Sequence, residues 1–112
     1  MAKNVKSPLL VFTTVAKKSD ATRLATALVR EGLAACVNVL SHVESHYLWK
    51  GKIQTEGEWL LLMKTTAAAY PLLESRLARI HPYECPEIVG IAVDRIAKPY
   101  RDWLLKCLPE KR

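Results

Sequence analysis

Two long extended stretches facing each other across a tight turn constrain this chain more than any other feature. Leu33 to Leu40 is an apolar run that reads as a buried strand, and it can continue through Tyr47-Leu48-Trp49. The return stretch runs from Ile53 through Trp59-Leu60-Leu61-Leu62-Met63. Lys50-Gly51 lies between them as a hairpin tip, because glycine accepts the positive φ that tight hairpins require. Gly57, inside the return arm, predicts a bulge there. Continuous arms would each span roughly 50 Å at ~3.3 Å per residue. The chain has only 112 residues, which suits a single domain over 1–112 with a core of modest size. So small a body cannot cover arms of that length, so they should protrude and be sheltered by sister copies.

The flanking segments complete an order of elements. Leu9 to Val15 reads as a buried strand. Ser19 or Asp20 can cap a helix whose apolar stripe is Leu24, Ala25, Leu28 and Val29, and Gly32 ends it in a left-handed turn. Thr65 or Thr66 opens a second helix carrying Ala69, Leu72, Leu73, Leu77 and Ile80. Pro71 places its true start near Tyr70, and Pro82 stops it. Glu87 to Val93 is a fourth strand, and Pro99 starts a short terminal helix with Tyr100, Trp103, Leu104 and Cys107 on one face. The order β-α-β-β-α-β plus a helix predicts an α+β fold, a ferredoxin-like βαββαβ sandwich with a long hairpin between its second and third strands and an extra C-terminal helix.

Charge and cysteines narrow the partners and the compartment. Seventeen Lys and Arg against eleven Asp and Glu give a net charge of +6. The basic residues are scattered (Lys17-Lys18, Lys50, Lys52, Arg76, Arg79, Lys111-Arg112) and form no polybasic arm, so a solvated surface is expected and nucleic acid is not. Base-stacking domains of the same element order carry exposed aromatics on their central strands, where this chain has Leu, Val and Ile and a lone Phe12. Cys36, Cys85 and Cys107 are odd in number and follow no paired spacing, so a disulfide framework is not expected. The stretch Leu9 to Val15 is too short to span a bilayer and lacks a cleavage site, which predicts a cytoplasmic protein with no membrane partner. No phosphate loop, nucleophile elbow, His-Glu-x-x-His or Cys-x-x-Cys occurs, and the chain is not expected to be an enzyme.

Several polar and aromatic residues are candidates for binding. His81 to Glu87 offers an imidazole, a phenol, two carboxylates and a thiol within one connector. It reads either as a ligand or metal pocket at a helix end, or as a connector in which Pro82 and Pro86 set geometry and His81 meets the helix's negative end. His42, Glu44 and His46 recur every second residue and would share one strand face, although His42 and His46, roughly 13 Å apart, cannot grip one ion together. Lys64 follows a buried strand and either snorkels to solvent or presents its ammonium to an anion or carboxylate, Glu87 being the candidate partner. Core packing is the plain reading of Trp59 and Trp103; Tyr47 and Trp49, near the hairpin tip, suit a contact between subunits.

A series of motifs then falls in order along the chain: Ala34-Ala35-Cys36-Val37-Asn38, Tyr47-x-Trp49-x-Gly51-x-Ile53, Lys64-Thr65, His81-Pro82-Tyr83-Glu84-x-Pro86-Glu87 and Tyr100-x-x-Trp103-Leu104. Together they cover nearly the whole chain and resemble the CutA, or divalent-cation tolerance, family. The resemblance implies a ferredoxin-like homotrimer whose edge strands pair between protomers, with a role in the response to metal ions. It implies a trimer interface at Cys36, Tyr47, Trp49 and Trp103, and a ligand cleft at Asn38, Lys64, Tyr83, Glu84 and Glu87 between protomers. No required cofactor is expected; Cu(II), another divalent cation or a small anion is the ligand to look for, with His81 as metal ligand. Some members carry a cysteine at the place of Thr13 and a second histidine at the place of Ile80 as proposed copper ligands. A hydroxyl is a poor copper ligand and an aliphatic chain is none, which leaves His81 alone of that set. The alternatives are a signalling trimer of the nitrogen-regulatory PII kind, by analogy of fold, and an RNA-binding module of βαββαβ type.

Overall fold

The computed structural model describes residues 6–109, so the Lys111-Arg112 pair and most of the N-terminal segment lie outside the described residues. The elements are β1 (Pro8–Val15), α1 (Lys18–Arg30), β2 (Cys36–Trp49), β3 (Lys52–Thr66), α2 (Tyr70–Ile80), β4 (Val89–Ala92) and α3 (Lys98–Cys107). All strand pairs are antiparallel, in the order β2-β3-β1-β4, which is the ferredoxin-like arrangement that the sequence predicts. Alternation along the strands sends Val11, Thr13 and Val15 of β1 and Leu61, Met63 and Thr65 of β3 inward, all buried. Leu24 and Leu28 of α1 and Leu73 and Leu77 of α2 meet them, all fully buried in one cluster. Each such leucine contributes about 2 kcal/mol of transfer free energy. A smaller cluster joins Leu104 and Leu108 to Ala35, which seats α3 beside the start of β2.

Helix ends follow backbone chemistry closely. Gly32 has φ +69°, and the amides of Leu33 and Ala34 return to the Leu28 carbonyl, closing α1 as expected. At the other end, neither Ser19 nor Asp20 is the cap: Lys17 occupies that place without a side-chain bond, and Asp20 instead accepts from Arg23. The Thr66 hydroxyl accepts from the Ala69 amide, so a turn intervenes before α2 begins at Tyr70 with Pro71 in its first turn. Leu33 to Ala35 is buried connector and not strand; the buried Thr65 hydroxyl donates to the Leu33 carbonyl at 2.7 Å and pins that connector to β3.

The hairpin is long, as predicted, but its irregularity lies elsewhere. Gly57 pairs in register with Glu44, whereas the register shifts between Leu40 and Val43, where Ser41 and His42 face Trp59 alone. The bulge therefore sits in β2, with His42 in the left-handed region at φ +62°. The arms are strands of 14 and 15 residues, and the longest extent of the molecule is 43 Å. At the tip, Lys50 and Gly51 both take positive φ, +51° and +80°, the geometry of a two-residue primed turn. Since β1 reaches only as far as Trp59, residues 43–49 and 52–58 pair with each other and, among the described residues, with no other strand. The expected protrusion is present.

Candidate functional site

The overhanging half of the hairpin and the connector from His81 to Ile88 enclose a cleft of about 740 Å³. Tyr47 and Trp49 enter it from β2, Glu56 and Glu58 from β3, and Tyr83, Glu84, Cys85 and Glu87 from the connector, with Thr14 and Ala16 at the end of β1. The cross-strand pairs Val43–Glu58 and Ser45–Glu56 explain the grouping, because every second residue of the paired arms shares one face. Four carboxylates and no Lys or Arg line the cleft of a chain whose net charge is +6. This is where the acidic residues of a basic protein concentrate.

His81 organises the connector from beneath. It is 7% exposed, and the backbone N–H of Tyr83 donates to its Nδ1 at 3.1 Å. Nε2 lies 3.0 Å from both the Thr14 carbonyl and the Thr13 hydroxyl. A backbone amide can only donate and a carbonyl only accept, so the ring is the neutral tautomer with its proton on Nε2. Burial pushes its pKa below the ordinary value, against the smaller opposing effect of the Thr14 carbonyl. Both nitrogens are thus occupied, and metal ligation would require His81 to abandon the bond that holds Tyr83. Arg23 donates to the Ile80 carbonyl at 3.1 Å, closing the end of α2 just before this residue.

That arrangement fixes Tyr83, whose ring centroid lies 4.9 Å from that of His81 and whose hydroxyl donates to Glu58 Oε2 at 2.5 Å. Burial, and then the Glu58 carboxylate, holds the phenol proton far above its ordinary pKa. Glu58 is itself only 7% exposed. It was not among the residues singled out from the sequence. The pattern Glu56-Gly57-Glu58, with carboxylates at period two on a strand, is the signal that points to it.

The remaining candidates divide between two places. Tyr83, Glu84 and Glu87 line the cleft, with Tyr47 and Trp49 opposite. Asn38 and Lys64 do not: they lie across from Leu62 and from Cys36 and Leu10, on the sheet face turned away from the core. Among the described residues Lys64 makes no ion pair with Glu87; its Nζ sits 5.6 Å from the Tyr100 ring centroid, a cation–π contact. Trp103, read from sequence as core, is 44% exposed and packs on Tyr100, since Leu104 takes the inward position of α3. Trp59 does pack against the core, half-buried. Glu44 and His46 share a face and bond to each other at 2.6 Å, but the bulge removes His42 from that alternation. Among the described residues no three His, Cys, Asp or Glu side chains stand close enough to hold a metal ion. Cys36, Cys85 and Cys107 are all free thiols, and no described helix is long and apolar enough to cross a membrane.

Residues 9–107 match the family model described as CutA1 divalent ion tolerance protein. The divalent-cation tolerance protein CutA of Thermus thermophilus is 43% identical over 95 residues, covering 85% of this chain and 92% of its own. The chloroplastic protein CutA 1 of Oryza sativa is 36% identical over 96 residues, 86% of this chain and 54% of that protein, so the chain spans about half of that longer relative. The crystal structure of CutA1 from Oryza sativa superposes with a TM-score of 0.90 at 34% identity, covering 94% of this chain and 96% of that one.

Proposed function

The chain belongs to the CutA1 divalent ion tolerance family, and from that premise we propose that it works as a homotrimer that gathers cations in its acidic cleft. The observation that carries this reading is the lining itself: Glu56, Glu58, Glu84 and Glu87 line one cleft that no Lys or Arg lines, in a protein of net charge +6. Such a concave surface rich in carboxylates raises the local concentration of cations and favours them over a small anion. Without three close ligands among the described residues, a divalent ion is held through its water shell and not in a tight cage. The ring nitrogens of His81 are taken by Thr14 and Tyr83, and those of His46, which also lines the cleft, by Glu44 and Thr55, so neither histidine is placed as a base for Cys85 and the cleft suits binding more than catalysis. Free thiols agree with a reducing, cytoplasmic setting.

Association is supported by what one chain leaves bare. Leu40, Val89 and Ile91 on the outward sheet face are 45%, 46% and 48% exposed, and Leu48 and Ile53 near the hairpin tip 69% and 78%. Apolar surface of this extent, beside the unpaired edges of an overhanging hairpin, is suited to copies of the same chain. Sedimentation equilibrium is expected to give three times the chain mass; a monomer throughout would end the trimer reading. Calorimetry with Cu(II) is expected to show weak binding that declines with added salt and is reduced by Glu56→Gln with Glu84→Gln. His81→Ala is expected to weaken that binding only by loosening the connector that holds Tyr83, and to leave its salt dependence in place, because the ring is engaged by Tyr83 and Thr14. A salt-independent isotherm lost in His81→Ala would overturn this account of the cleft.

A further inference from the structure

The walls of the cleft say more about the cation than its charge does. Glu58 is 7% exposed, and among the described residues its side-chain hydrogen bond comes from the phenol of Tyr83. Among the described residues no Lys, Arg or His forms an ion pair with it. No buried side-chain oxygen in the described chain lacks a hydrogen-bond partner, so the second oxygen of Glu58 is either bonded or open to the cleft, and no bond to it is seen. The rings of Tyr47, Trp49 and Tyr83 line the same space. Aromatic faces offer nothing to the inner shell of a hydrated metal ion, but they attract organic cations and pack against the apolar body attached to them. Trp49 already draws a cation in this way, with Lys50 Nζ 5.8 Å from its centroid. The volume, about 740 Å³, is in the range that holds small organic ligands.

We infer that the cleft binds an organic ammonium ion carrying an aromatic or alkyl body. The ammonium donates to Glu58 and the adjacent Glu56, and the body packs on Tyr47 and Trp49. Tyr83 is a positioning residue: its retained proton fixes Oε2 of Glu58 and leaves Oε1 for the ligand. This inference rests on the reading of the cleft as a cation site and narrows it to an organic class.

The test is calorimetry on the full chain, in its native assembly, with 2-phenylethylammonium as probe and the neutral isostere 2-phenylethanol as control. Saturable binding of the ammonium is expected, with the alcohol at least about tenfold weaker. Glu58→Gln and, separately, Trp49→Leu should each weaken the ammonium by about tenfold. Trp49 is 40% exposed, so its variant keeps the fold even where replacement of buried Glu58 does not, and a thermal melt verifies both. Absence of saturable binding, equal binding of the alcohol, or indifference to Trp49→Leu overturns the inference. A parallel titration with Cu(II) separates the two readings. Metal bound without the ammonium overturns the organic class and leaves the cation site standing; the ammonium bound without metal supports it; neither bound ends both.

Discussion

At the scale of single residues, His81 shows how a side chain that looks like a ligand can be a structural joint. Its ring accepts from Tyr83 and donates towards Thr14 and Thr13, so a neutral imidazole is built into the connector. Burial lowers its pKa from the ordinary 6.5. Near and below that pH the unfolded chain binds a proton that the folded chain resists, so stability falls as pH drops through about 6.5 and levels off below the lowered folded value. Denaturant midpoints measured from pH 7.5 to pH 4.5 should decline more steeply for wild type than for His81→Gln. Equal slopes would show that the imidazole is not held neutral by its surroundings. The sequence exposed the density of functional groups from His81 to Glu87 but not this engagement, because hydrogen bonds to residues 67 and 68 positions away leave no local pattern.

At the scale of elements, the hairpin turn is the feature most completely written in the sequence. Gly51 at φ +80° follows Lys50, itself at φ +51°, and a Cβ at Gly51 would meet no atom within 4 Å. Gly51→Ala therefore tests backbone conformation without steric clash, and a loss of about 1 kcal/mol is expected in chemical denaturation. A loss near zero would mean that the turn relaxes to another type. The bulge was not legible in the same way. Glycine at position 57 suggested it, yet the extra residue is in β2, because a bulge is set by the register of two strands together and not by one residue's freedom. The cap of α1 is similar: Ser19 and Asp20 are good capping types, but the helix begins before them at Lys18.

At the scale of the whole molecule, the outward sheet face is the surface proposed for assembly. Ile91, opposite Leu10 and 48% exposed, lies on that face away from the core. Ile91→Glu should leave the monomer fold intact, since the side chain is half exposed and belongs to neither buried cluster, and should shift sedimentation towards the single-chain mass. A variant that remains fully associated would place the interface elsewhere, on the hairpin tip alone. Within a chain, Arg76 bonds Glu31 through two nitrogens and ties α2 to α1, but both groups are more than a third exposed and the pair adds little to stability.

Local patterns determined the element order, the two-residue turn, the Gly32 helix end and the apolar faces of the strands, because each depends on residues a few positions apart. From these the ferredoxin-like arrangement followed, and the motif series from Ala34 to Leu104 pointed to the CutA family. Only the tertiary structure decided that Glu58 is buried beneath Tyr83, that Lys64 lies over Tyr100 and not in the cleft, and that Trp103 faces outward. Those outcomes depend on which distant strands and connectors pack together, and on the one-residue register shift at Ser41 and His42. Side-chain charge is local, but burial and electrostatic company are properties of the packed chain.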